Sequence, residues 1–232
     1  MFYNIDYLLF MAPAFLLMML ATWYVKSAYS KWGKIPASSR LSGYQAAQRL
    51  ITAGGLYGVQ IEGIAGNLTD NYDPRTKTLR LSQGVAQGSS VASLAVSAHE
   101  LGHAMQDSDD YLPLRLRAAL VPVVNIGSYL GWILIMIGLF LNMVNLAWLG
   151  VLAFSAGAVF ALATLPVELN ASARARQLLA ASGLIVTGEE RRGVNSVLNA
   201  AALTYVASLL TAILQLLYFV SMVGGLGGRR RS

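Results

Sequence analysis

The chain of 232 residues has only two histidines, His99 and His103. They stand four residues apart around Glu100, in His99-Glu100-Leu101-Gly102-His103. Positions i and i+4 of a helix share one face, with Cβ atoms about 5–6 Å apart. Two imidazoles at that spacing can bind one Zn²⁺ at about 2.0–2.1 Å each. Glu100 lies roughly 100° around the helix from His99, beside the metal rather than on it. A general base for a zinc-activated water belongs there, and Gly102 leaves room beside the ion. There is no cysteine, which excludes thiolate ligands, thiol nucleophiles and disulfides. A catalytic zinc takes three protein ligands, so the third must be a carboxylate. Those that follow the motif are Asp107, Asp109, Asp110, Glu168, Glu189 and Glu190. The aspartates come just past the helix end and are expected to point into solvent. Glu189 and Glu190, in Thr187-Gly188-Glu189-Glu190-Arg191-Arg192, read as a solvated helix start. Glu168 differs, because it closes a long uncharged run. A lone carboxylate at a membrane edge is costly unless it is paired or bound to a metal.

These groups need elements to position them. Residues 91–106 are dense in Ala, Leu and Val and read as a mostly buried helix carrying the histidines. Upstream, 42–51 reads as an amphipathic helix with Ser42 as its cap, and 59–64 alternates like a strand. Asn71-Tyr72-Asp73-Pro74 is a turn signal. Residues 76–82 alternate again, and Lys77 and Arg80 suit an edge strand. This part is α+β, a small sheet with a buried helix.

The rest of the chain is apolar. Hydrophobic residues make up 56% and charged residues 12%, half the roughly 25% charge of ordinary globular domains. That excludes a disordered chain and fits a soluble domain poorly. Residues 118–167 hold no Asp, Glu, Lys, Arg or His, and neither do residues 193–228. A helix needs about 20 apolar residues to cross a bilayer. Four segments qualify, 8–25, 118–141, 146–167 and 200–223, with a tight turn at 142–145. The first lacks a basic start and a small-residue cleavage site, so it reads as an anchor rather than a signal peptide. In the last, Thr204, Ser208, Thr211 and Gln215 form a polar stripe that is expected to face protein or water.

The net charge of +6 sits in the loops and sets orientation rather than marking a nucleic-acid binder. Lys26, Lys31 and Lys34 follow the first span. Arg115 and Arg117 precede the second, and Arg174 and Arg176 follow the third. These place 26–117 and 168–199 in the cytoplasm, with the N-terminus outside. Four full crossings would leave Arg229, Arg230 and Arg231 outside, against that rule, unless the last segment stops short. The expected organisation is an anchor (1–25), a cytoplasmic metallopeptidase unit (26–117), a transmembrane hairpin (118–167), a cytoplasmic helical segment with the third ligand (168–199), and a membrane helix with a basic tail (200–232). The fold class is membrane α+β: about four membrane-embedded helices with a small cytoplasmic zincin-like unit of helix and edge strand.

Here the sequence resembles a known family. His99-Glu100-Leu101-Gly102-His103-Ala104 with Glu168 on a later helix is similar to the gluzincin pattern of HtpX-like membrane proteases. The wider likeness is to bacterial YugP-type membrane zinc metallopeptidases, the neutral zinc metallopeptidase family. It is carried by blocks at 68–82, 98–106, 113–117, 165–175 and 197–207 and covers nearly the whole chain. The resemblance implies zinc on His99, His103 and Glu168, with Glu100 as base and proton shuttle. HtpX-like enzymes place an Asp four residues after the third ligand to steady it; this chain has Ser172 there, with Asn170 nearby.

The reading that follows is a multi-pass protease of the plasma membrane, its site facing the cytoplasm. Its substrates are peptides, membrane proteins or tails emerging from the bilayer, laid along an edge strand at 76–82. With no further histidine, the second donor to the oxyanion comes from Tyr72, Arg75, Asn199 or Tyr205. Tyr205 is favoured because it sits beside the polar stripe. The expected partners are the lipid bilayer and the substrate, with no nucleic acid and an oligomer left open. The rival readings are a catalytically silent zinc-binding scaffold or chaperone, which would not need Glu100, and a transporter, which would need ionisable groups inside 118–167.

Overall fold

The computed structural model describes residues 5–228; Arg229, Arg230 and Arg231 lie outside the described residues. The elements are α1 (Ile5–Trp32), α2 (Gly43–Ala53), β1 (Gln60–Ile64), β2 (Asn71–Asp73), β3 (Thr78–Ser82), α3 (Gln83–Gln87), α4 (Val91–Ser108), α5 (Leu112–Phe140), α6 (Val144–Ala181) and α7 (Gly188–Gly228). The protein is mostly helical, with one small sheet. Two compact units emerge. The polar unit comprises Ala21–Leu114 and Val167–Thr204; the apolar unit comprises the described residues up to Leu20, Arg115–Pro166 and those from Tyr205 on.

Local signals explain the starts of the polar unit's helices. Ser42 caps α2 in a capping box, its hydroxyl accepting from the Gln45 amide while the Gln45 side chain accepts from the Ser42 amide. Such a cap satisfies amides that a helix start leaves without partners. Ser90 caps α4 in the same sense, accepting from the Ser93 amide. α4 is the centre of the unit. Leu94, Ala95, Ala98 and Leu101 are fully buried, packed in one core with Trp32, Leu50, Leu79, Leu81, Leu179 and Leu198. A helix buried on several sides needs small and apolar residues around most of its circumference, and α4 supplies them with four alanines, two leucines and two valines.

The sheet order is β1-β3-β2, with β1 parallel and β2 antiparallel to β3. This corrects the reading of 76–82 as an edge, because β3 is the central strand. Arg80 on its middle suggested solvent, yet it is flanked by carboxylates from both neighbours, Glu62 of β1 at 3.6 Å and Asp73 of β2 at 3.3 Å. A charge tolerates a central position when each adjoining strand supplies a counter-charge. The turn signal at Asn71-Tyr72-Asp73-Pro74 is also partly corrected: Asn71–Asp73 is β2, and the turn comes after it. Asp73 Oδ1 accepts from the Arg75 amide, and Lys77 takes a left-handed φ of 51°.

Among the described residues four helices are long and apolar enough to cross a membrane: Tyr7–Trp32, Leu112–Phe140, Val144–Ala181 and Gly188–Gly225. In the apolar unit α5 and α6 meet along glycines. A Cβ on Gly131 would stand 2.6 Å from the Phe154 amide nitrogen, and one on Gly138 2.5 Å from that of Ala147. One on Gly150 would stand 2.6 Å from the amide nitrogen of Ile135. Lipid supplies no hydrophobic drive between helices, so close backbone approach through small residues takes over. Ile135, Val151, Phe219 and Val223 pack into a second core. In the polar stripe of α7 the Thr204 hydroxyl donates to the Ala201 carbonyl at 2.7 Å, and that of Thr211 to the Ala207 carbonyl at 2.8 Å.

Candidate metal centre

The site is built where α4 crosses the later part of α6, inside the polar unit. A Cβ on Gly102 would lie 2.3 Å from the carbonyl oxygen of Ala171 and 3.1 Å from its Cα. Real Cβ atoms do not come that close to backbone, so only glycine permits this crossing. The room expected beside a metal at Gly102 is filled by the α6 backbone. Three residues before Ala171 comes Glu168, and directly after it Ser172; both are about 2% exposed.

His99, His103 and Glu168 converge, each offering a ligand atom within 4.8 Å of the others. Glu168 Oε2 stands 3.2 Å from His99 Nε2 and 3.4 Å from His103 Nε2. The rings face edge to plane at 84°, centroids 5.0 Å apart. Two atoms bound at about 2.0–2.2 Å to a tetrahedral ion lie roughly 3.3 Å from each other. The two oxygen–nitrogen separations therefore suit a shared zinc ion, and the donor set of two imidazoles and a carboxylate is one that zinc accepts.

The other ring nitrogens are steered from behind. Gln106 gives its amide NH₂ to the Val167 carbonyl at 2.7 Å and to Asn170 Oδ1 at 3.0 Å. Its oxygen is thus the acceptor toward His103 Nδ1 at 3.0 Å. Nδ1 of His103 then carries the proton, and Nε2 presents a lone pair to the cluster. Asn170 is held in turn by Arg174 Nε at 2.8 Å, and Arg174 pairs with Asp109. His99 Nδ1 meets the Ser172 hydroxyl at 3.2 Å. Ser172 therefore stands where the resemblance places the steadying group, and a second, amide-based device serves the other histidine.

Gln106 was not singled out in the sequence. Its position three residues after His103, on the same helix face, was the available signal. Glu100 is half-buried on α4. Burial raises the pKa of its carboxyl, with Glu168 and Asp70 adding to the rise and the two histidines opposing it. For His103, burial favours the neutral ring, but the hydrogen bond that protonated Nε2 can give to Glu168 and the charges of Glu100 and Glu168 outweigh it and leave the pKa raised.

Three of the other carboxylates are engaged elsewhere. Asp107 accepts from the Tyr72 hydroxyl at 2.9 Å, and Asp109 holds Arg174. Glu190 is buried rather than solvated. Its Oε2 accepts from the Val186 amide and from the Thr187 amide and hydroxyl, and its Oε1 accepts from the Ser38 amide. The solvated helix start was read correctly for Thr187, Gly188, Glu189, Arg191 and Arg192, which are exposed, and not for Glu190, which bonds to Ser38. Of the expected oxyanion donors, Tyr72 is spent on Asp107, Arg75 is exposed and bonded to Asp73, and Asn199 accepts from Arg176. Tyr205 lies half-buried on α7 in the apolar unit.

Comparison with known proteins agrees with this chemistry. The chain matches the family described as "putative neutral zinc metallopeptidase" over residues 7–224. It is 46% identical over 200 residues to the "putative membrane protease YugP" of Bacillus subtilis (strain 168), covering 86% of this chain and 88% of that one. No solved structure matches the chain.

Removing either steering group weakens metal binding without unfolding the protein. Gln106→Leu and Ser172→Ala should each raise the zinc Kd by about 10–100-fold in a chelator competition assay, with the circular dichroism spectrum unchanged. Gly102→Ala, which forces a Cβ into the α6 backbone, should lower both Tm and zinc content. Wild-type zinc affinity in all three would contradict this account of the site.

Proposed function

Because the chain belongs to the neutral zinc metallopeptidase family, we propose that it is a zinc-dependent endopeptidase working at the cytoplasmic surface of the plasma membrane. The observation that carries the reading is the meeting of His99, His103 and Glu168 with Glu100 alongside. His99, His103 and Glu168 would hold the zinc in the gluzincin manner. A bound zinc ion supplies Lewis acidity, bringing the pKa of a water toward about 7 and polarising a scissile carbonyl.

The chain's own groups do the rest. Glu100 takes the proton of the attacking water and passes it to the leaving amine. Its raised pKa suits that shuttle, since a carboxylate with greater proton affinity is the stronger base. No side chain among the described residues hydrogen-bonds the Glu100 carboxyl, so its lone pairs are available to substrate and water. Gln106 and Ser172 keep the imidazoles from rotating as charge develops.

Lys26 and Lys31 in the last two turns of α1, Lys34 just after it, and Arg115 and Arg117 at the head of α5 support a cytoplasmic site. With Glu168 on the same helix as an apolar crossing, 38 residues long, the substrates are membrane proteins or chain tails emerging from the bilayer. The sheet edges open to strand addition are β1 or β2, β3 being paired on both sides.

Glu100→Gln should leave zinc content at the wild-type level and cut kcat/KM on an unfolded membrane-protein substrate by about 10²–10⁴-fold. Full activity in that variant would remove Glu100 from the mechanism. A wild-type protein that binds zinc yet cleaves nothing would favour the scaffold reading. Orientation has its own check, since the chain is free of cysteine and Tyr57 is 80% exposed. Tyr57→Cys should react with a membrane-impermeant maleimide only after the cells are opened; labelling of intact cells would reverse the topology.

A further inference from the structure

A second polar site lies in the same unit, away from the metal ligands. The C-terminal part of α6 and the first turns of α7 enclose a cavity of about 220 Å³. Two arginines, Arg176 and Arg191, line it together with Asn195. Leu179, Ile185 and Val194 supply apolar walls.

The state of Arg176 is unlike that of its neighbour Arg174. Arg174 is neutralised by Asp109. Arg176 is half-buried and held by neutral oxygens alone: Nε donates to Asn195 Oδ1 at 2.8 Å and Nη2 to Asn199 Oδ1 at 2.6 Å. Among the described residues no carboxylate stands within ion-pair distance of Arg176 or Arg191. The buried carboxylate at this end of α7, Glu190, is committed to Ser38, Val186 and Thr187. Amide oxygens fix where the guanidinium points without cancelling its charge. They leave Nη1 and one hydrogen of Nη2 without a protein acceptor. Two guanidiniums beside a partly apolar cavity attract an anion more strongly than the same charges in open water.

We propose that this cavity binds a phosphate group, gripped by the forks of Arg176 and Arg191. Guanidinium is planar and pairs with phosphate through two parallel hydrogen bonds, which a lysine cannot do. The source of the phosphate is a lipid headgroup. Of the residues that line the cavity, Arg176 stands nine residues past Val167, where the polar unit begins along α6, and Asn195 nine before Thr204, where it ends along α7, about 14 Å along each axis at about 1.5 Å per residue. A headgroup layer about 5–8 Å deep, met by a long arginine side chain that reaches toward it, spans most of that distance. The site is independent of the peptidase reading, because none of its residues is a metal ligand or touches one.

The test uses the full chain in a neutral detergent. The probes are dihexanoyl phosphatidylglycerol, dihexanoyl phosphatidylcholine and inorganic phosphate, with binding read by thermal shift and by native mass spectrometry. Expected is saturable binding of the phosphatidylglycerol, weakened at least about tenfold in Arg176→Gln/Arg191→Gln and unchanged in Arg192→Gln, a neighbour that does not line the cavity. Arg176→Lys/Arg191→Lys keeps the charge but loses the fork, and should give an intermediate loss. If inorganic phosphate binds as tightly as the lipid and shows the same dependence on the two arginines, the phosphate site stands and its ligand is a free anion. Absence of saturable binding of both phosphate probes to the wild-type chain overturns the proposal whatever the variants do. An equal loss in Arg192→Gln overturns it too, because the effect would then be diffuse surface charge.

Discussion

The polar unit depends on one steric permission, the missing side chain at Gly102. With a backbone carbonyl of α6 where a Cβ would otherwise sit, α4 and α6 come closer than side chains allow. Two side chains of α6, one from each side of Ala171, then reach the two histidines of α4. Glu168 closes the ligand triangle and Ser172 holds the outer nitrogen of His99. The same approach lets Gln106 reach across to the carbonyl of Val167 and the side chain of Asn170. Well-packed helices resist small shifts in spacing, so the geometry of the three candidate ligands inherits the rigidity of the packing around them.

Burial then decides the chemistry. Glu168 and both imidazoles are almost wholly withdrawn from water. A buried carboxylate needs a compensating positive charge or a proton. A divalent cation answers that need and satisfies all three groups together. Around the cluster the supporting groups are neutral, an amide at Gln106 and a hydroxyl at Ser172, so they orient the rings without adding charge. Neutral steering recurs at Arg176, where Asn195 and Asn199 fix a guanidinium and leave its charge available.

Much of this was legible in the sequence, and the reasons differ by element. The histidine pair was visible because i and i+4 positions need no knowledge of the rest of the fold. Glu168 stood out because a carboxylate ending fifty uncharged residues demands a partner. The cap at Ser42 and the four apolar helices follow from local pattern. What escaped depends on contacts distant in sequence. Arg80 marks an edge strand until Glu62 and Asp73 are seen to flank it. Glu190 reads as solvated until Ser38 closes over it. Gln106 was passed over, since the groups that fix its orientation, Val167 and Asn170, lie about sixty residues later. For Gly102 the sequence drew attention to the right residue for a different reason, because nothing local says which backbone will fill the space.

The central claim is that one cation joins α4 to α6. Its most direct test is a crystal structure of the zinc-loaded protein with anomalous data collected on either side of the zinc absorption edge. The account predicts one strong zinc peak about 2.0–2.2 Å from His99 Nε2, His103 Nε2 and a carboxylate oxygen of Glu168. A zinc peak held by the two histidines with Glu168 turned away, or a peak elsewhere in the chain, would contradict it.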